Sequence, residues 1–442
     1  MSLRFESSND NSTVLYFDLP ELKFHNLGPF EVQQQGKDFK AYQTTLRLAS
    51  NKKSLSGVWS FDGHDLPFEL TPGGLPAEPL PQPVMGRIAQ PLWTFKTQGQ
   101  IWSSPAVTGG VVYFGSSDGI IYALGADSGK PVWQFKTGGP VMGPMTLDGP
   151  CLYALSDDGY LYKLEQQGGA LVWRFNTHGG SVTRDMVGSG TSVYDYLASG
   201  ATVVDRVVYI GSADKKLYAV DAETGSENWH FDTDDIVRST PAVVGGSVFF
   251  GSRDHHIYSL DTTTGALKWE YDTLREVVSS PLVVDGTVYV GSRSSDLFAL
   301  DASTGKPKWK YFYWSSWVES SARMRDAIVY VGSSDAQQLF AINAATGQRI
   351  WNFDTDGSPW STPAVTDKRV YIGAAGVLHY IIDHHGGFFA VDRSTGKVAW
   401  RFPMAVISGS ETYGVVSSPT VDRGLVFFGG LDGTFYAFRE GG

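Results

Sequence analysis

The chain predicts an all-β fold, an eight-bladed β-propeller, and three observations carry that prediction. Tryptophan recurs at Trp93, Trp133, Trp173, Trp229, Trp269, Trp309, Trp351 and Trp400, in steps of 40, 40, 56, 40, 40, 42 and 49 residues. Short apolar strands separated by glycine turns fill each step, as expected of four-stranded blades that need neighbours on both faces. The two ends of the array also complement each other. The last repeat, residues 415–438, lacks a fourth strand, and residues 91–97 form a fourth strand with no predecessors. Joining them closes the ring without an exposed edge.

A complete unit shows the order of elements. Residues 237–244 read as strand A, Val248-Phe249-Phe250-Gly251-Ser252 as B, Ile257-Tyr258-Ser259-Leu260-Asp261 as C, and residues 264–271, with Trp269, as D. The alternation within these runs has the strand period. Between C and D, Asp221, Asp261, Asp301 and Asp392 stand where a carboxylate accepts turn amides, and Gly225, Gly265, Gly305 and Gly396 stand where φ turns positive. The eight tryptophans are expected to be structural, wedged between blades. Blade 2 departs from the pattern, with Leu155 at the strand-B glycine and Glu165 at the turn aspartate.

Residues 1–74 do not follow the repeat and are assigned to a small β accessory domain, with strands expected near residues 14–20, 39–48, 55–61 and 66–70. Residues 17–22, 56–59 and 66–70 resemble an accessory domain found before some bacterial serine hydrolases. Residues 75–90 form a Pro-rich linker, a semi-rigid spacer, ahead of the propeller at 91–442.

The Val-Tyr-x-Gly-Ser, Leu-Tyr-Ala-Leu-Asp and Thr-Gly-x-x-x-Trp-x-Phe strings resemble the pyrroloquinoline quinone (PQQ)-like repeats. That superfamily includes quinoprotein alcohol dehydrogenases and the BamB type of outer-membrane assembly factor. The resemblance specifies the fold over about residues 91–440 and leaves function open, since one scaffold carries many activities.

Composition narrows the classes. A formal charge of −11, a pI near 5.3 and the lack of a basic stripe argue against a nucleic-acid partner. No apolar run approaches a membrane span. The lone Cys151 excludes an intramolecular disulfide and a Cys-rich metal site. It also excludes the vicinal cysteine pair that quinoprotein dehydrogenases use against the quinone. No signal peptide or lipoprotein cysteine stands near Met1, and a removed export signal is compatible with that start. The resemblance implies a bacterial periplasmic or envelope setting.

Gly-x-Ser-x-Gly, phosphate-loop and His-Glu-x-x-His motifs are missing from the sequence. His379, His384 and His385 alternate in a manner that does not converge on a metal, and no metal site is assigned. The Asp-Gly pairs at Asp118, Asp158 and Asp432 read as B–C turns rather than Ca²⁺ ligands.

Function is therefore sought where the repeat is broken. Insertions fall within residues 178–200 and 403–414, both between D and the next A, and within 374–387, between B and C. In an antiparallel meander these connections emerge on one face. That face collects Trp102, Arg184, Asp185, Arg238, Arg253, Arg275, Arg293, Trp314, Trp317, Glu319, Trp360, His384 and Tyr413. Aromatics with arginine forks suit recognition. The expectation is a non-catalytic binding or assembly scaffold, with an extended peptide over Trp102, Trp314, Trp317 and Trp360, or a polar small molecule. No cofactor is expected. The alternative is a divergent PQQ-dependent alcohol or sugar dehydrogenase with Ca²⁺.

Overall fold

The computed structural model describes residues 86–177, 184, 195–313, 316–378 and 384–442 in full, and before them the backbone of seven strands within residues 2–70. The 75–85 part of the linker, Asp185, Trp314 and His379 lie outside the described residues. Two compact units divide the chain, residues 1–83 and 84–442.

In the first unit the strands Ser2–Ser7, Thr13–Leu19, Phe24–Gln35, Asp38–Ala41, Thr44–Leu48, Leu55–Phe61 and His64–Leu70 form one antiparallel meander in sequence order. The first and third of these lack a counterpart among the strands read from sequence.

The second unit is an eight-bladed propeller. In blade 4, strands Ala242–Val244, Ser247–Gly251, His256–Asp261 and Leu267–Asp272 pair in order, A to D. Strands B and C are buried on both faces, so they read as near-continuous apolar runs; strand D, on the outside, alternates. Closure follows the predicted complementarity. Trp93–Lys96 pairs antiparallel with Thr434–Arg439, with Phe435 opposite Phe95 and Ala437 opposite Trp93.

The tryptophans join consecutive blades. Each indole N–H donates to a backbone carbonyl of the following blade, just past that blade's C strand, at 2.8–3.1 Å: Trp93 to Ala126, Trp133 to Gln166, Trp173 to Ala222, Trp229 to Thr262, Trp269 to Ala302, Trp309 to Ala344, Trp351 to Arg393 and Trp400 to Glu440. The turn glycine of that blade lies on the ring. A Cβ at Gly265, where φ is +70°, would come within 2.7 Å of Trp229. Glycine at this turn therefore serves the backbone and the inter-blade contact together. Within the sheet a bulge follows the residue opposite each tryptophan in blades 1 to 7, as between Ser259 and Leu260.

Blade 7 is enlarged. Its strand B runs on as Arg369–Val377, and Thr412–Gly414 pairs with the extension, Tyr413 opposite Gly376. The second and third insertions thus combine into one ribbon. Strand D, Val398–Pro403, gains a parallel neighbour in Arg87–Ile88.

Candidate functional site at the propeller axis

The segment that leads into strand A of every blade runs beside the axis, and its residues face inward in steps of two. The outermost ring is Trp102, Met142, Ala198, Arg238, Val278, Glu319, Trp360 and Val416, all lining an axial cavity of about 300 Å³. Below it lies a belt of hydroxyls that links blade to blade. Oγ or Oγ1 of Thr240, Ser280, Ser321, Ser418 and Ser104 accepts the backbone N–H of Gly200, Thr240, Ser280, Thr362 and Ser418 respectively, at 2.8–3.0 Å.

The tail of the first insertion, residues 195–198, crosses the mouth of this cavity. Tyr196 is 2% exposed and stacks on Trp360 with ring centroids 4.6 Å apart; Trp102 lies 6.0 Å away on another side. Met142, Val377, Val416 and Leu431 complete the apolar cluster. The Tyr196 hydroxyl donates to Glu319 Oε2. Burial first, and then the Glu319 carboxylate, push the Tyr196 pKa far above the phenolic range, so it remains a donor.

Two buried ion-pair sets hold this plug. Asp195 accepts two hydrogen bonds from Arg238, at 2.7 and 2.5 Å, with Arg253 at 3.9 Å and Arg184 at 4.0 Å. Arg184 in turn forks onto Asp157 at 2.6 and 2.6 Å and donates to the Leu197 carbonyl at 2.6 Å. Burial alone would raise the Asp195 pKa, but the Arg238 hydrogen bonds and the surrounding guanidinium charges outweigh it and leave the carboxyl below its ordinary range. The second set is Arg293 with Glu319 Oε1, Nε at 2.8 Å, with the guanidinium 4.6 Å from the Trp317 ring. Asp157, Arg253 and Arg293 come from B–C turns, and Arg184, Arg238 and Glu319 from D–A connections. Their pairing places both kinds of connection on one face.

Several residues expected to meet a partner are therefore spent internally. Trp102 and Trp360 are 4% and 7% exposed and pack on Tyr196, so a peptide cannot lie over their rings. Arg184, Arg238, Arg253, Arg293 and Glu319 are buried in the ion pairs, because a charge inside the protein needs an opposite charge at hand. Tyr413, 3% exposed, donates to the His384 carbonyl at 3.1 Å and packs against Gly376; His384 is likewise buried. Arg275 is exposed and Trp317 half-buried. Sequence reasoning passed over Asp157, Asp195 and Tyr196, the last two within an insertion that has no counterpart in other blades.

The axis does not fit the quinone implied by the resemblance. A planar quinone needs a slot between flat faces, and Tyr196 fills the space beside Trp360 and Trp102. Arg238, which lines the cavity, already holds Asp195. Asp118, Asp158 and Asp432 are committed to their own turns, each accepting the hydroxyl of the tyrosine four residues on, Tyr122, Tyr162 and Tyr436. Among the described residues no three His, Cys, Asp or Glu side chains gather to hold a metal ion, and no helix is long and apolar enough to cross a membrane.

Comparison with known proteins follows the same lines. The sequence profile described as outer membrane protein assembly factor BamB matches residues 89–197, 195–312 and 273–441. Two quinohemoprotein alcohol dehydrogenases of Pseudomonas putida, ADH IIB and ADH-IIG, are 39% and 40% identical over 79 and 80 residues; each match spans 17% of this chain and 11% of the relative's length. BamB from Moraxella catarrhalis superposes with a TM-score of 0.59 at 20% identity, over 80% of this chain and 98% of that one. Quinohemoprotein alcohol dehydrogenase from Comamonas testosteroni gives 0.61 at 16% identity, over 80% and 77%. Likeness at these identities establishes the fold. The profile, in contrast, spans nearly the whole propeller, and the chain belongs to the PQQ-like repeat family described as outer membrane protein assembly factor BamB.

Proposed function

We propose that this protein is a non-catalytic binding or assembly scaffold that engages an extended protein segment on the face formed by its D–A and B–C connections. The observation that carries this reading is the plug. With Tyr196, Trp102 and Trp360 packed together at the axis, the rings that could clasp a flat substrate there are spent on one another. Exposed Leu274, Arg275 and Val406 and half-buried Trp317 stand on D–A connections of that face, mixing apolar area with charge as recognition surfaces do. Membership in a family described as an assembly factor agrees with a protein partner.

Site-specific photocrosslinking tests this in an envelope-bearing host. A crosslinker at Arg275 or Trp317 should give a discrete adduct with an outer-membrane assembly component, and one at exposed Val244, at the end of strand A beside the A–B turn on the opposite face, should not. Adducts from neither face, or equally from both, would sink the reading. The dehydrogenase alternative rests on the short match to the quinohemoprotein enzymes. Titration with PQQ and Ca²⁺, followed by tryptophan fluorescence and a dye-linked alcohol assay, is expected to give no saturable signal. Saturable Ca²⁺-dependent binding would reverse the choice.

A further inference from the structure

Beneath the plug the axial cavity has an unbalanced set of polar groups. The segment entering strand A of blade 6, which begins at Arg323, presents Glu319, Ser321 and Arg323 to it in succession. Glu319 is balanced by Arg293 and Tyr196, and Arg238 by Asp195. Arg323 is balanced by nothing charged. Its one hydrogen bond among the described residues is a 3.5 Å contact with the Ala322 carbonyl, and it joins no ion pair. The equivalent positions in the other blades are Ala106, Thr146, Thr202, Ala242, Leu282, Ala364 and Thr420, so this cation is peculiar to one blade.

The hydroxyl belt adds donors to the same space. Ser104, Thr240, Ser280, Ser321 and Ser418 each use the oxygen to accept a neighbouring blade's N–H. Among the described residues none of the five donates its proton to a protein acceptor. An oxygen that accepts still carries a hydrogen to give. What these groups retain for the cavity is therefore O–H donors, beside an Arg323 side chain that stays exposed to solvent.

We infer that the axial channel is a binding site for a small oxyanion, a free phosphate or a compact carboxylate, gripped by the Arg323 fork and the serine and threonine hydroxyls around it. A cavity of about 300 Å³ sets the size at that of a small metabolite. Planar guanidinium matches both carboxylate and phosphate in a two-point contact. The site faces the channel, so it does not rest on the partner-binding reading of the outer face.

Isothermal titration of the full chain at low ionic strength, with inorganic phosphate in one arm and malonate in the other, tests the inference. Saturable binding of one anion per chain is expected, and the arm that saturates names the anion class. Arg323→Gln should weaken that binding roughly tenfold or more, whereas Arg325→Gln, at a side chain already paired with Asp367, should leave it unchanged. No saturable binding in either arm, or undiminished binding by Arg323→Gln, overturns the site. Should Arg323→Gln not fold, Arg323→Lys keeps the charge and loses the fork. Weakened binding by that variant supports the site, and unchanged binding overturns it.

Discussion

The rim of the propeller and its axis are held by different chemistry. At the rim one contact is repeated eight times, an indole N–H to a carbonyl with a glycine lying on the ring, and every copy joins only consecutive blades. The plug at the axis does not repeat. Tyr196 reaches from the segment before blade 3 to Glu319 and Trp360 at blades 6 and 7, and Asp195 gathers arginines from three separate segments. Rim contacts divide the load into similar portions, whereas no contact of the plug has a duplicate.

Removing Asp195 should break that contrast most sharply. Asp195→Ala leaves Arg184, Arg238 and Arg253 facing one another in a buried site, and the expected cost is about 3–5 kcal/mol, read from urea unfolding. A cost under about 1 kcal/mol would mean that the plug is decoration on a ring the tryptophans hold alone. At the rim, Gly265→Ala introduces a Cβ at positive φ against Trp229 and should cost about 1–3 kcal/mol. Gly305→Ala, the same change one blade on against Trp269, should cost nearly as much. Unequal costs would show that the rim contacts are not equivalent.

Tyr196→Phe keeps the ring stack and leaves one Glu319 oxygen without its donor. The expected loss is about 1–3 kcal/mol, and a neutral outcome would assign the anchoring to stacking alone. Acid separates the two regions on another axis. Asp301 and Asp392 are held down to about 2, Asp301 first by the Ser303 and Thr304 hydroxyls and Asp392 first by Ser394. Asp195 is also held low, by Arg238. A carboxyl whose folded pKa lies below its unfolded value of about 3.9 stabilises the fold above that value and loses the contribution as pH falls through the folded pKa. The melting temperature should therefore stay level from neutral pH to about pH 4 and fall between about pH 4 and pH 2. Asp195→Asn should flatten part of that fall, and a decline already under way at about pH 5.5 would point to other groups. The smallest expected change is Trp317→Ala. Its ring is half-buried, and stability should shift by under about 1 kcal/mol while partner capture is lost.

Legibility followed repetition. Trp269, Asp261 and Gly265 could be assigned because each has equivalents in other blades, and the register of residues 91–97 against the last C strand followed from completing the unit. Asp195 and Tyr196 have no equivalents, and a lone tyrosine in an insertion carries no period to read. Two signals stood in the sequence nonetheless. Leu155 replaces the glycine that, in seven blades, lets the next entry segment approach; a Cβ at Gly251 would meet Val277 at 2.2 Å. The exception falls directly before the blade whose entry is the long insertion. Arg323 likewise stands alone in a column of small and apolar residues and hydroxyls. Trp102 and Trp360 were misjudged as partner-facing because both belong to loops by sequence and to the core by packing.

The pairing of Trp93–Lys96 with Thr434–Arg439 also constrains how the molecule is made. The fourth strand of the last blade is synthesised before the first blade, and it stays without a partner until more than three hundred further residues have emerged. Throughout that interval the growing ring has two open strand edges, each able to pair with another chain. Its final folding step is also among the most non-local contacts in the propeller, which makes ring closure slow by loop entropy alone. A chain stopped just before residue 434 would therefore be an open arc prone to association, and survival of nascent chains should depend on a factor that shields those edges until the C-terminus arrives.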